Sequence, residues 1–167
     1  LVLILVPRHP ERFADVETLI QKSGLAYVKR TEQTALSGST QVLLGDTMGE
    51  MMLLYGLSKV AFVGGSLVKH GGHNPLEPIA FELPVISGVY TYNFPEIFAK
   101  LAEVKGFVEV NSDTQSLVQA VEFLLENRDA RKTIATAGFS VLQENQGALE
   151  RHLALLAPYL EKNNERN

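Results

Sequence analysis

The sequence predicts an α/β protein built on a doubly wound parallel sheet of about six strands, with extra helices at its C-terminus. Three observations predict it. Short runs rich in Val, Ile and Leu alternate with segments whose apolar residues recur at helical spacing. The first run, residues 1–6, is continuously apolar rather than alternating, the pattern of a strand covered on both faces. Glycine, proline and charged residues gather after particular strands, which the topology of a parallel sheet places on one edge.

Taken in order, the strand at residues 1–6 stops at Pro7-Arg8-His9-Pro10. Residues 11–23 place Phe13, Val16, Leu19 and Ile20 at helical spacing, and Gly24 just beyond is a natural cap. A short strand follows at 26–29. Residues 30–41 are polar, rich in Thr, Ser and Gly and without periodicity, so they read as a mobile loop before the strand at 42–44. Residues 50–58 read as a helix with Met51, Leu54 and Tyr55 on one face, and 60–63 as a strand. A helix is expected at 75–81, with Asn74 at its N-cap and Glu77 in its first turn, then a strand at 85–87, a helix at 94–104 and a strand at 107–110. From Asp113 onward the pattern is wholly helical, in three segments carrying Leu117, Val121, Leu124 and Leu125, then Ile134, Ala137 and Val141, then Leu149, Leu153 and Leu156. The expected division is a domain at 1–145 and a C-terminal helix and tail at 146–167.

Composition narrows the function. The 167 residues are 46% apolar, enough for one substantial core. Fifteen basic against nineteen acidic residues leave a net charge of -4, which argues against a nucleic-acid surface. With no cysteine there are no disulfides or thiolate metal sites. The opening apolar run is too short for a membrane span and has neither the charged start nor the cleavage site of a signal peptide. Opening inside a core strand without Met, the chain reads as part of a longer protein.

Four clusters fall on the carboxyl edge of the predicted sheet: Pro7-Arg8-His9-Pro10, Gly45-Asp46-Thr47-Met48-Gly49-Glu50, the glycine-rich residues 64–77, and Ser87-Gly88. Ligands of open parallel sheets bind at that edge. In residues 64–77, glycines permit close backbone approach, free N–H groups at a helix start favour an anion, and Glu77 can accept a pair of sugar hydroxyls. The combination suits a nucleotide. Without a ligand the same residues are a tight connection whose glycines serve backbone geometry alone. His70 and His73 lack the carboxylate or cysteine cluster that a zinc site needs, so no metal is expected.

Pro7-Arg8-His9, Gly45-Asp46-Thr47-Met48-Gly49-Glu50, Val63-Gly64-Gly65-Ser66, Gly71-Gly72-His73-Asn74-Pro75-Leu76-Glu77-Pro78 and Asn145-Gln146-Gly147-Ala148-Leu149, in this order, resemble the carboxy-terminal half of the bacterial Kdo transferases. The resemblance implies a GT-B glycosyltransferase, two Rossmann-like domains facing across a cleft, of which this chain is the second. Such enzymes move 3-deoxy-D-manno-octulosonic acid (Kdo) from CMP-Kdo to a lipid A precursor in lipopolysaccharide biosynthesis, at the cytoplasmic face of the inner membrane. The amino-terminal half would carry the membrane-associating segment, the acceptor surface and the acidic general base. This chain alone would be soluble, inactive and without a cofactor, its donor being a substrate.

The resemblance also implies roles. Arg8 would hold the donor phosphate or sugar carboxylate and stabilise departing CMP, work suited to a planar, permanently charged guanidinium; otherwise it is a solvated strand-end charge. His9 touches the ligand or shapes the turn. Met48 and Gly49 would offer backbone groups to the cytosine edge, with Met48 as a core filler the plain alternative. Asp46 belongs to the same loop, and Glu50 either contacts ligand or fixes that loop. Gly65, Ser66, Gly72, His73 and Asn74 would surround the phosphate, and Glu77 would take the ribose hydroxyls unless it is only a favourable helix-start charge. Two other readings stay open: a UDP-sugar transferase or epimerase domain, against which the residue 45–50 loop counts, and a non-catalytic nucleotide-binding module. A receiver-like module would need acidic residues where Arg8 and His9 stand.

Overall fold

The computed structural model describes residues 1–145; the predicted C-terminal helix and tail at 146–167 lie outside the described residues. In chain order the elements are β1 (Leu3–Leu5), α1 (Phe13–Ser23), β2 (Tyr27–Lys29), β3 (Val42–Leu44), α2 (Met51–Gly56), β4 (Ala61–Val63), α3 (Leu76–Ile79), β5 (Val85–Gly88), α4 (Pro95–Glu103), β6 (Val108–Val110), α5 (Thr114–Glu126) and α6 (Arg128–Asn145). All the predicted strands are present and every pairing is parallel. Their hydrogen bonds group them three and three, in the orders β1-β3-β2 and β4-β5-β6. The chain divides accordingly into two compact units, Leu1–Ser58 and a second that begins at Lys59.

In the first unit β3 is central, with Leu5 and Lys29 both in register with Leu44. Ile20 of α1 packs on Val42 and Leu44, supported by Leu5, Val16 and Tyr27. Gly24 ends α1 in the left-handed conformation, its N–H bonded to the Gln21 carbonyl, as its position predicts. Leu19, expected on the apolar stripe, is exposed. The expected burial of the first strand on both faces is also corrected, since Leu3 is 54% exposed. Among the described residues β1 is hydrogen-bonded to β3 alone, and continuous apolarity does not reveal how many neighbours a strand has.

A further correction concerns residues 30–41. Their first part is no loose loop but a 3-10 turn, Arg30–Glu32. It is held by long-range bonds to Asp46 and Glu50 that local sequence pattern does not reveal. Polarity there reflects bonding to acids rather than solvent alone.

In the second unit β5 is central and buried along its whole length. One side carries a core of Val63, Ile79, Val85, Phe98, Leu101 and Val141; another cluster joins Ile86, Val110, Ala120 and Leu124. Burying a side chain such as Leu101 or Leu124 stabilises the fold by about 1.5–3 kcal/mol. Asp113 caps α5 by accepting the Ser116 N–H at 2.8 Å. At its other end the Arg131 guanidinium donates to the Leu124 and Leu125 carbonyls at 2.5 and 2.7 Å.

The helix expected at 75–81 is shorter. α3 spans Leu76–Ile79 with Ala80 as its C-cap, and two residues on Glu82 takes a left-handed φ of 52°, turning the chain into Leu83-Pro84 and β5. The N-cap position falls on Pro75 rather than on Asn74 as expected; Asn74 stands one residue earlier, where its side-chain carbonyl accepts the Leu76 N–H at 3.0 Å. One turn develops little macrodipole, so the anion attraction expected of this helix mouth is weak. No helix of the described residues is long and apolar enough to cross a membrane.

Candidate nucleotide site

The predicted site residues form two sets, one in each unit, and both follow the carboxyl ends of strands. In the first unit Gly45 continues directly from β3 beside β1, its N–H bonded to the Leu5 carbonyl at 2.9 Å. Arg8, just past β1, is exposed, and its guanidinium has no partner among the described residues. His9 is exposed too. Its carbonyl accepts the Arg12 N–H at 3.0 Å, and its Nδ1 lies 3.9 Å from Glu11, so its visible work is in the turn.

The two acids of the 45–50 loop are not free. Asp46 accepts the Thr31 N–H at 2.9 Å and the Thr31 hydroxyl at 2.5 Å. Partial burial opposes its charge, but the Thr31 bonds, its own N–H and the Lys29 cation outweigh that and hold its pKa below the ordinary value. Glu50 accepts the Thr47 hydroxyl at 2.5 Å and the Arg30 guanidinium at 2.8 Å. Its pKa is lowered too, first by the Thr47 hydroxyl, then by Arg30. Between the acids, Met48 is 63% exposed and fills no core, and Gly49 stands at a φ of 82°.

In the second unit the chain leaves β4 through Gly64-Gly65 and folds back on itself. The Gly72 N–H bonds the Gly65 carbonyl at 3.0 Å and the His73 N–H bonds the Gly64 carbonyl at 3.2 Å. A Cβ built on Gly65 would stand 3.5 Å from His73 Nε2, which places the imidazole beside this loop. Ser66 departs from expectation. Fully buried, it donates to the Val63 carbonyl at 2.7 Å and accepts the Gly88 N–H at 2.8 Å, so its hydroxyl clips β4 to β5. A side chain at Gly88 would strike the Ser66 carbonyl, so the clip needs a glycine opposite it. Glu77, half-buried on α3, has no hydrogen-bond or ion-pair partner among the described residues.

A second loop braces the first, and sequence reasoning missed it. After β5, the Tyr90 N–H bonds the Ser66 carbonyl at 3.0 Å, and the Tyr92 hydroxyl donates to the Lys69 carbonyl at 2.6 Å. Asn93 donates through its side-chain amide to the carbonyls of His70 and Gly72, both at 3.0 Å, while its N–H reaches the Gly71 carbonyl. The available signal was position: Tyr90 to Asn93 follow a strand on the same edge as Ser87-Gly88. Arg30 and Thr31 follow β2 in the same way. His70 and His73 join no group of potential metal ligands among the described residues.

The comparisons agree with this architecture. Residues 21–141 match the family model described as glycosyl transferases group 1. The chain is 57% identical, over 98% of its length, to a 3-deoxy-D-manno-octulosonic acid transferase of Haemophilus influenzae, and covers 38% of that protein. It is 35% identical, over 95% of its length, to the 3-deoxy-D-manno-octulosonic acid transferase of Bordetella pertussis, covering 37% of it. The chain thus spans less than half the length of these curated relatives. Among solved structures it is similar to the C-terminal CMP-Kdo binding domain of WaaA from Acinetobacter baumannii, with a TM-score of 0.81, 38% identity, and coverage of 85% of this chain and 74% of that one. A family match over most of the chain and a Rossmann-like fold shared with that domain lead to one conclusion: this chain belongs to the glycosyl transferases group 1 family.

Proposed function

We propose that this chain is the donor-nucleotide-binding half of an inverting glycosyltransferase that moves Kdo from CMP-Kdo to a lipid A precursor in lipopolysaccharide biosynthesis. The observation that carries the reading is the likeness, at 38% identity and a TM-score of 0.81, to a domain described as CMP-Kdo binding. Two unpartnered charges, one in each unit, support it. Arg8 and Glu77 stand unpartnered among the described residues, one a cation for phosphate or carboxylate and the other an acceptor for ribose hydroxyls.

In the proposed reaction an acceptor sugar hydroxyl attacks the anomeric carbon of Kdo as the bond to the CMP phosphate breaks. The bonding electron pair leaves on the phosphate oxygen, where Arg8 stabilises the growing charge. The hydroxyl proton passes to a carboxylate of the amino-terminal half, which also supplies the lipid acceptor surface and the attachment to the cytoplasmic face of the inner membrane. Met48 and Gly49 read the base through their backbone, and Gly65, Gly72, His73 and Asn74 shape the phosphate loop. The reading assigns the leaving-group charge to Arg8 and the loop, not to a metal ion. Residues 1–145 form the donor-binding part.

Titrating the chain with CMP, UMP and CMP-Kdo while following amide shifts tests the reading. The expected order is CMP-Kdo and CMP ahead of UMP, with shifts in residues 45–50 and 64–77. Binding of UMP ahead of CMP would favour the UDP-sugar alternative instead.

A further inference from the structure

We infer that Arg30 and Thr31 are positioning residues for nucleotide recognition: they clamp both ends of the 45–50 loop and thereby set its preference for cytosine over uracil. The inference rests on the cytosine reading proposed for Met48 and Gly49. Asp46 and Glu50 bracket the tip of the loop, and both are tied to the same short turn, Arg30–Glu32. Thr31 holds Asp46 through its N–H and its hydroxyl, at 2.9 and 2.5 Å. Arg30 holds Glu50 at 2.8 Å, and the other oxygen of Glu50 takes the Thr47 hydroxyl. Neither acid is left to meet a ligand with its full hydrogen-bonding capacity. What the clamp leaves open is the tip: among the described residues the N–H and C=O groups of Met48 and Gly49 make no hydrogen bond.

That arrangement is what base discrimination by backbone requires. Cytosine presents an amino donor beside an acceptor ring nitrogen, whereas uracil presents a carbonyl acceptor beside an N–H donor. A peptide N–H and C=O held in fixed directions match one pattern and are left unpaired by the other. A loose loop would turn its peptide groups to suit either base and tell them apart poorly. The anchors come from a neighbouring strand's end, so their loss frees the tip while β3, the centre of its sheet, stays paired.

The test compares CMP and UMP affinities of the chain with those of Arg30→Gln, Thr31→Val and Glu50→Gln, each verified as folded by its amide spectrum. Arg30→Gln is expected to weaken CMP binding about tenfold while UMP changes much less, so that the preference collapses. Glu50→Gln breaks the same bridge from its other side and should give the same loss, which keeps the test decisive if Arg30→Gln fails to fold. Thr31→Val keeps the N–H bond to Asp46 and should fall between. A defect of stability alone would lower both affinities together. Folded variants that retain the parent's CMP preference would overturn the clamp alone. A parent chain without any such preference would overturn the cytosine reading, and the clamp with it.

Discussion

Glu77 and the two loop acids show how environment ties some carboxylates into the scaffold and leaves a similar one without a partner among the described residues. Asp46 and Glu50 have their lone pairs committed to Thr31, Thr47 and Arg30, whereas Glu77 has no partner among the described residues. Glu77→Gln keeps the shape and removes a charged acceptor, so CMP affinity should fall by about 1.5–3 kcal/mol, the range for hydrogen bonds to charged groups. Isothermal titration of a variant that folds as the parent yet binds CMP equally well would reduce Glu77 to a helix-start charge. The loop acids predict a pH effect. Each has a native pKa below its unfolded value, so its contribution is fully present above the unfolded pKa, about 4. It is lost as pH falls through the lower native value. Amide exchange at Thr31, whose N–H bonds Asp46, normalised to the intrinsic rate at each pH, should therefore hold steady from neutrality down to about pH 5 and lose protection only in stronger acid. Loss of protection between neutrality and that point would contradict the assignment. Which carboxylates are committed was not legible in the sequence. Asp46 and Glu50 stand in the motif as conspicuously as Glu77 does, and their partners lie 15 and 20 positions away.

Among the elements, paired loops carry the site, and the sequence displays one of each pair. The glycine-rich segment after β4 and the 45–50 loop announce themselves by composition. Their braces, Tyr90 to Asn93 and Arg30–Glu32, are ordinary polar residues whose importance lies in contacts across the edge of a sheet. Helical and strand periods report on the chain's own neighbours, so they located the strands but could not show that residues 30–32 are ordered or that Ser66 turns inward. The Asn93 brace can be tested through Gly71, which has a φ of 84° and whose added Cβ would strike the Asn93 amide. That amide is pinned to the His70 and Gly72 carbonyls and has no room to give. Gly71→Ala should therefore destabilise the chain by about 1–3 kcal/mol, from left-handed strain and the displaced brace together. Asn93→Ala removes two hydrogen bonds without strain and should cost about 1–2 kcal/mol. Denaturant midpoints decide between them: an Asn93→Ala chain as stable as the parent would leave the brace without energetic weight. In Gly71→Ala/Asn93→Ala the clash with Asn93 is gone while that with the Tyr92 ring remains, so the double variant should cost less than the sum of the singles.

For the whole molecule, alternation of strand and helix made the α/β parallel class readable, because buried β-branched runs and helical stripes differ in period. The grouping of strands into two sheets was not readable, since pairing partners leave no trace in period. The chemistry of the whole follows from its acids. An inverting displacement needs a leaving-group stabiliser and, on the opposite face of the sugar, a base. Arg8 can serve as the first. Of the acids in the four motif clusters, Asp46 and Glu50 are hydrogen-bonded, ion-paired or both, with lowered pKa values that make them poor bases, and the reading proposed above gives Glu77 to the ribose. On the reading proposed above, the base comes from another part of the enzyme; the chain covers 38% of its Haemophilus relative. The chain alone should bind CMP-Kdo yet release no CMP when a lipid acceptor is added, while an enzyme carrying both halves releases it. CMP release followed by a coupled assay checks this directly. Acceptor-dependent turnover by the chain alone would mean that one of its own carboxylates is the base, and Glu77→Gln, which should then abolish turnover rather than weaken binding, would identify whether it is the unpartnered one.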